Sequence, residues 1–335
     1  MAGLGIIVNP LSGRDSRRLT ARADTVSHES KRNHIARIAV GAVAAGCERI
    51  LVPWEPRRWR GGAVEHLQIG AQIEEIHTPI THSAQDTHAA VVAMREQGCR
   101  VLVVLGGDGT SRIVTKTWPD AVLMPLSTGT NNVFPLWIEP TIAGLAAELV
   151  APRAKVIELD IEGEVSDLAL VDALFLQGDR IGNLGPFEPR FMKALVLTRA
   201  EPDAVGMSPL GGLLHPAGFA DDWGVRVDFC AHDAGGRLLR APVSPGLFRS
   251  AHIRSAERLP LDAPTTVEGP GILAFDGDRE RILAPGQRAT LRVTRRGPRV
   301  IDPRAALRVA AERGLMLDLP HWIDPYDGGT AGGCC

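Results

Sequence analysis

Up to Leu145 the chain alternates between short apolar runs and longer segments with helical spacing. The segment His28–Gly46 repeats apolar residues on one stripe, and Ala84–Gln97 does the same before Gly98, which is a typical C-terminal glycine. The apolar runs are Leu4–Val8, Arg49–Val52, Ile73–His77, Val101–Leu105 and Ala121–Leu126. Because continuous apolar strands that alternate with amphipathic helices form parallel sheets covered on both faces, the sequence predicts a Rossmann-like α/β domain over residues 1–148.

The second half of the chain has a different pattern, with strand-like runs separated by turn-rich loops and few helical stripes. The runs are Val156–Ile161, Leu168–Leu176, Ala194–Thr198, Val225–Phe229, Ile272–Phe275 and Ala289–Thr294. We therefore expect a β-rich, sandwich-like domain over residues 149–302. A helical segment then opens residues 303–327, which we expect to pack back on the first domain, and residues 328–335 form a glycine-rich, flexible tail.

Composition excludes several classes of partner. The 335 residues carry a formal net charge of -2, so there is no basic field for nucleic acid. The N-terminus reads as a strand and not as a signal peptide, and no apolar stretch reaches the ~20 residues of a membrane span. Five unevenly spaced cysteines fit a reducing compartment. We predict a cytoplasmic protein without a membrane partner; the pattern assigns no role to Cys334 and Cys335.

Metal-binding patterns are also missing from the sequence. Neither Cys-x-x-Cys nor His-Glu-x-x-His occurs. His77, His82 and His88 lie close together, but their spacing matches neither a helix face nor a strand face, so we interpret them as separate surface histidines. We expect no metal site built by the protein alone.

Three loops rich in glycine and hydroxyl side chains follow apolar strands of the first domain: Asn9–Gly13, Gly106–Thr110 and Ser127–Asn132. The carboxyl ends of parallel strands share one edge, so these loops can converge there, where such sheets bind ligands. Glycine lets backbone N–H groups approach phosphate oxygens, and Ser or Thr adds further donors. The edge is therefore a predicted phosphate site.

Each loop also has a purely structural interpretation. Asn-Pro and Ser-Gly are common turn pieces, and the third loop is suited to capping a following helix. The sequence Gly-Gly-Asp-Gly-Thr directly after a buried strand contains more than a turn requires and favours the phosphate site. It matches neither the Gly-Lys-Ser/Thr ending of a Walker loop nor Gly-x-Gly-x-x-Gly, which disfavours hydride transfer.

These loops resemble a known superfamily. Gly106–Thr110 looks like the signature that joins NAD kinases, diacylglycerol kinases and sphingosine kinases, and Asn9–Gly13 resembles its opening loop. Ser127–Phe134 resembles the Gly-Thr-x-Asn-Asp stretch of the lipid-kinase branch. Together with Val205–Leu213, it carries a narrower likeness to the AcoX type, which comprises ATP-NAD-kinase-like proteins associated with acetoin catabolism.

The resemblance implies ATP and Mg²⁺ as cofactors and a cleft between the two domains. Asp108 would act as the catalytic base or as a metal-linked group. The implied nucleotide-binding residues are Asn9, Ser12, Gly13, Gly106, Gly107, Gly109, Thr110, Thr128, Gly129, Thr130, Asn131 and Asn132. The implied substrate-binding residues are Asp172, Asp276 and Ser208. Superfamily members of the NAD-kinase branch tend to assemble, so the resemblance also implies a homodimer.

Three points have two possible interpretations: the stretch Phe275–Asp278, the cations near the loops, and the acceptor. The stretch Phe275–Asp278 is either a site element or an Asp-Gly hairpin turn, and both can hold. The cations Arg14, Arg112 and Lys116 lie near the loops and supply either phosphate contacts or ordinary solvated charge.

The third concerns the acceptor. NAD kinases carry an Asn-Glu pair in the second domain where this chain has Val171-Asp172. Losing the amide side chain weakens the case for NAD as the acceptor. The leading hypothesis is an ATP-dependent kinase acting on a hydroxyl of NAD or a related nucleotide-like compound. A nucleotide-binding regulator with little turnover and a lipid kinase are the alternatives.

Overall fold

The computed structural model describes residues 3–14, 23, 25–56, 59–64, 70–129, 131–146, 152–162, 167–182, 185 and 187–317. Thr130, residues 318–327 of the predicted C-terminal segment, and the predicted tail with Cys334 and Cys335 lie outside the described residues. No helix in these ranges is long and apolar enough to cross a bilayer.

The first half is a parallel sheet, which confirms the predicted α/β fold. Its strands are β1 Gly3–Val8, β2 Arg49–Pro53, β3 Gln72–Ile76, β4 Cys99–Gly106 and β5 Val122–Ser127. They lie in the order β3-β2-β1-β4-β5, so the strand order reverses between β1 and β4. The crevice outside the carboxyl ends of the strands at such a reversal is the usual ligand site of open α/β sheets.

Helices cover both faces of this sheet. They are α1 His28–Ala44, α2 Trp59–Val64, α3 Ala84–Glu96, α4 Asp108–Thr117 and α5 Pro140–Leu145. Ser27 and Ser83 cap α1 and α3 by accepting a backbone N–H two or three residues on. Gly98 has a φ of 81° and ends α3, as its position in the sequence predicts.

The second half contains two antiparallel sheets. The four-stranded sheet has the order β13-β16-β6-β7, and the seven-stranded sheet has the order β11-β12-β10-β9-β8-β14-β15. The strands are β6 Val156–Ile161, β7 Asp167–Ala169, β8 Asp172–Leu176, β9 Met192–Leu197, β10 Trp223–Phe229, β11 Arg237–Ser244, β12 Leu247–Pro260, β13 Pro264–Glu268, β14 Gly271–Phe275, β15 Asp278–Leu283 and β16 Arg288–Thr294. A short helix, α6 Ser208–Gly212, lies between β9 and β10. Buried residues of both sheets, among them Leu291 and Phe275, form one apolar cluster, so the sheets face each other as a sandwich.

The stretch expected as one strand over Leu168–Leu176 is two strands in different sheets. β7 pairs with β6 in the smaller sheet, and β8 pairs with β9 and β14 in the larger one. The chain crosses between the sheets at Leu170 and Val171, whose N–H groups donate to the Asp276 carboxylate. The apolar pattern of this stretch does not reveal the crossing, because the carboxylate that accepts these N–H groups, Asp276, lies in a turn more than 100 residues later.

After the sandwich the chain returns to the first sheet. β17 Arg299–Val300 pairs in parallel with β5, and α7 Pro303–Glu312 follows it. Ile301 and Ala306 belong to the apolar core beneath α1. The domain boundary placed at residue 302 thus lies beyond the point at which the chain re-enters the parallel sheet.

Candidate functional site

A cleft of about 360 Å³ lies at the carboxyl edge of the parallel sheet, between the two halves. The first half contributes Asn9, Ser12, Gly107, Asp108, Gly109, Thr110, Gly129, Asn131 and Asn132 to its lining. The second half contributes Asp276, Asp278 and Glu280. We call this the main cleft. The structure thus brings the three glycine-bearing loops together on one edge.

Side-chain hydrogen bonds join the loops to one another. The Asn9 amide donates from Nδ2 to Thr110 Oγ1 over 2.8 Å, and its Oδ1 accepts from the N–H groups of Leu11 and Ser12. The hydroxyl of Ser12 lies 2.7 Å from that of Thr128. Asn9 and Ser12 therefore hold the first loop against the other two, in addition to lining the cleft.

Lys31 on α1 binds the backbone of the first loop, a role that the sequence analysis missed. Its Nζ is buried and donates to the backbone oxygens of Asn9, Pro10 and Ser12 at 2.8, 3.0 and 2.7 Å. The signal was its position: Lys31 stands four residues before Ile35, on the same buried stripe of α1. A lysine on an apolar stripe needs buried acceptors, and loop carbonyl groups supply them.

Among the predicted nucleotide-binding residues that the structure describes, Gly13, Gly106 and Thr128 do not line the main cleft. Gly13 has a φ of 70°, and a Cβ there would lie 2.3 Å from the Thr128 carbonyl oxygen. A Cβ on Gly106 would lie 2.5 Å from the Thr110 Cβ. These two glycines allow close packing of the loops rather than approach to a ligand.

Asp108 begins α4 and lies at the centre of the site. Its carboxylate accepts the N–H groups of Val133 at 3.2 Å and Phe134 at 2.9 Å, and the residue is 7% exposed. Burial and the nearby Asp276 carboxylate raise the pKa of Asp108 to about 7, against the opposing effect of the two N–H groups. An acid with such a pKa exchanges protons readily near neutral pH.

Asp276 faces Asp108 from the second half. It and Gly277 have φ values of 48° and 92° in the hairpin turn between β14 and β15, which confirms the turn interpretation, and Asp276 also lines the main cleft. Its carboxylate accepts three N–H groups, from Leu170, Val171 and Asp172. Burial raises the pKa of Asp276, while Arg112 and the three donors oppose this shift.

Arg112 and Lys116 join the two halves. Arg112 is buried and donates to the Leu168 carbonyl oxygen, to Asp167 and to Glu280, while Lys116 Nζ lies 2.8 Å from Asp167. The sequence analysis interpreted these cations either as phosphate contacts or as solvated charge. Neither interpretation describes Arg112, because its guanidinium binds residues of the sandwich from its position on α4. Arg14 is exposed.

Negative charge dominates the described lining of the main cleft. Its carboxylates are Glu55, Asp86, Asp108, Asp276, Asp278 and Glu280. Within the same part of the lining, Arg112 is the only lysine or arginine, and it is already paired with Asp167 and Glu280. A polyphosphate thus needs countercharge from outside this lining.

The sequence and the fold have known relatives. Residues 155–296 match the acetoin catabolism protein X C-terminal domain. Over 340 aligned residues the chain is 33% identical to acetoin catabolism protein X of Cupriavidus necator, with 95% of each chain covered. The chain belongs to this family.

Solved structures share its fold at low sequence identity. Yeast NADH kinase, solved in complex with NADH, is 12% identical and superposes with a TM-score of 0.50, covering 97% of this chain and 90% of that one. An NAD kinase from Archaeoglobus fulgidus, solved in complex with ATP, is 11% identical with a TM-score of 0.44, covering 94% and 99% of the two chains. The match to yeast NADH kinase shows that this acetoin catabolism protein X family member has an NAD-kinase-like fold.

A second, smaller cavity of about 70 Å³ adjoins the main cleft in this family member. Asp108, Asn131 and Asp276 line both cavities. We call the smaller one the side cavity. Its further lining includes Asp172, as well as Val205, Met207 and Ser244.

Of the three predicted substrate-binding residues, Asp172 and Asp276 reach these cavities and Ser208 does not. The Ser208 hydroxyl is fully buried; it accepts the Glu201 N–H and donates to the Arg199 carbonyl oxygen, both at 2.8 Å. Ser208 is the first residue of α6, and its hydroxyl ties this helix to the turn at Arg199 and Glu201, so its hydrogen bonds are satisfied within the protein.

Proposed function

We propose that this protein binds ATP in the main cleft and transfers the γ-phosphoryl group to a hydroxyl of a second substrate. The observation that carries the proposal is the position of Asp108. Its carboxylate lies where three glycine-bearing loops meet at the sheet reversal, in the wall between two cavities. One cavity can hold the donor while the other admits the acceptor, with a proton acceptor between them.

Asp108 would act as the general base. An acceptor hydroxyl must lose its proton as it attacks phosphorus, and a base whose pKa lies near the working pH serves this best. The pKa of Asp108, raised to about 7, meets that condition. Its oxygens also accept the Val133 and Phe134 N–H groups, so we assign Asp108 to the proton rather than to a metal ion.

Mg²⁺ fits the acidic lining of the main cleft. Within the described residues there is no group of three or more His, Cys, Asp or Glu side chains able to hold a metal ion, so the ion would arrive on the nucleotide. Asp278, whose Oδ2 would lie 3.3 Å from a Cβ on Gly109, is the carboxylate we assign to it. Bound Mg²⁺ neutralises phosphate charge during transfer.

The test is a direct assay of phosphoryl transfer. Wild-type protein, ATP and Mg²⁺ are incubated with NAD, and in parallel with other hydroxyl compounds, while ADP release and phosphorylated product are measured. The Asp108→Asn variant keeps an acceptor oxygen for the Phe134 N–H and removes the base. We expect a loss of turnover of about 100-fold or more in the variant, with ATP affinity retained.

The controls identify competing functions. An exposed aspartate on β6, Asp160, provides the matched Asp160→Asn variant, which should be as active as wild type. Equal turnover in Asp108→Asn would remove Asp108 from the chemistry. Tight ATP binding without product from any acceptor would favour the nucleotide-binding regulator, and transfer only to lipid in vesicles would favour the lipid kinase. The homodimer and the cytoplasmic location stay predictions.

A further inference from the structure

The size of the side cavity limits which molecules can reach Asp108 through it. It has a volume of about 70 Å³, against about 360 Å³ for the main cleft. Because one water needs roughly 10–15 Å³ of such space, the side cavity holds on the order of five water-sized groups. A short polyol or hydroxyketone has about this many non-hydrogen atoms, whereas a dinucleotide is far larger.

The charges around the side cavity select against anions. Three carboxylates line it, those of Asp108, Asp172 and Asp276, and its described lining contains no lysine, arginine or histidine. Carboxylates accept hydrogen bonds from hydroxyl groups and repel carboxylates and phosphates. A neutral compound with several hydroxyl groups fits this lining, whereas the pyrophosphate of NAD does not.

The remaining lining supplies one polar pair and an apolar wall. Asn131 Nδ2 donates to Ser244 Oγ over 3.1 Å, so an amide and a hydroxyl lie together beside the three carboxylates. The apolar residues are Val133, Phe187, Val205, Met207 and Val243. Such a mixture of a short apolar wall with a few placed polar groups is typical of sites for small organic molecules.

We propose that the side cavity is the acceptor subsite and that its acceptor is a short, neutral polyol or hydroxyketone. This inference rests on the proposed kinase function. The acceptor oxygen forms a bond to the γ-phosphorus of ATP, and the bond from that phosphorus to the β,γ-bridging oxygen breaks to release ADP. The hydroxyl proton passes to the Asp108 carboxylate, and the product is a phosphate monoester.

Val205 offers a variant that changes the side cavity alone. Its side chain is half-buried and lines the side cavity but not the main cleft. Val205→Phe fills the cavity and Val205→Ala widens it. Val309→Phe is the matched control, because Val309 is also half-buried and lies on α7, outside both cavities.

The experiment measures ATP affinity by calorimetry and phosphorylated product by mass spectrometry. The acceptor probes are glycerol, dihydroxyacetone, acetoin, xylitol and NAD. We expect wild type to phosphorylate the short probes in preference to NAD. Val205→Phe should lower kcat/KM for the short probes by about tenfold or more, with the Kd for ATP unchanged. Val205→Ala should shift preference from glycerol towards xylitol, and Val309→Phe should behave as wild type.

The outcomes separate the two proposals. If wild type uses NAD and no short probe, or if Val205→Phe is as active as wild type on the short probes, the side-cavity assignment is overturned while the kinase stands. If wild type binds no ATP, or binds it and phosphorylates none of the probes, both proposals fall. A shift in preference with Val205→Ala supports the assignment, since a merely structural change would not favour a longer acceptor.

Discussion

Replacing Asp108 by asparagine should stabilise the folded protein relative to wild type, and this gain in the free energy of unfolding should increase as the pH rises. The native pKa of Asp108 is about 7, against an ordinary value of 3.8, mainly because the carboxyl is buried beside Asp276. The ionised form is thus disfavoured in the folded protein by an amount on the order of 4 kcal/mol.

The direction in which stability changes with pH follows from proton binding by the folded and unfolded states. Between pH 4 and pH 7 the folded protein keeps a proton on Asp108 while the unfolded chain does not, so stability falls as pH rises through this window. From pH 5 to pH 8 the loss is on the order of 2–3 kcal/mol. Asparagine resembles the protonated carboxyl in shape and never ionises, so the variant lacks this loss.

The assay is urea-induced unfolding of wild type and Asp108→Asn at pH 5, 6, 7 and 8. The variant should be more stable than wild type by about 1–2 kcal/mol at pH 5 and by about 4 kcal/mol at pH 8, so that the difference in free energy of unfolding grows by about 2–3 kcal/mol across the series. Asp160→Asn, at an exposed position, should follow wild type throughout. A difference between Asp108→Asn and wild type that stays constant from pH 5 to pH 8 would refute the account of Asp108 as a buried acid with a raised pKa.

Three further substitutions test how the site is held together. Lys31→Met should raise the Kd for ATP by about tenfold or more in calorimetry, because three loop carbonyl groups lose their donor; Arg32→Met, on the same helix but partly exposed, should not. Arg112→Met should lower the free energy of unfolding by about 3–5 kcal/mol in urea, because buried acceptors lose their charged partner. Gly13→Ala should both destabilise the fold and weaken ATP binding, since its Cβ would meet the Thr128 carbonyl oxygen in a left-handed backbone; an alanine variant that binds ATP as wild type does would contradict the packing of these loops.

The α/β half was predictable because its signals are local. Each parallel strand is a continuous apolar run, and α1 and α3 carry their own caps and stop signals. The loops that follow β1, β4 and β5 meet because parallel strands end at the same edge of the sheet. All three loops could therefore be placed together from the sequence alone.

Other parts of the molecule depend on contacts between distant residues, which local patterns do not report. The two-residue strand β17 is too short to show a period, so its pairing with β5 was not predicted, although the helical segment after it was expected to pack on the first domain. The separation of β7 from β8 depends on Asp276, which accepts backbone N–H groups more than 100 residues earlier in the chain. The sequence showed Arg112 as a cation beside a loop and Ser208 as a hydroxyl in the stretch Val205–Leu213. Whether each side chain faces a ligand or the protein was decided by partners from the other half or from the neighbouring turn.

The pairing of Asp108 with Asp276 links the two halves to the chemistry. The carboxyls come from α4 and from the β14–β15 turn, and each is held by backbone N–H groups of its own half. Arg112 binds α4 to β15 through Glu280 and also lowers the pKa of Asp276, so it sets both the approach of the halves and the charge on the pair. A buried pair of like charges costs stability wherever it occurs, and such a cost is commonly found where a site needs a shifted pKa. Because the Asp276 carboxylate adds to burial in raising the pKa of Asp108, any change in the distance between these two carboxyls would change that pKa and with it the fraction of Asp108 that can act as the base.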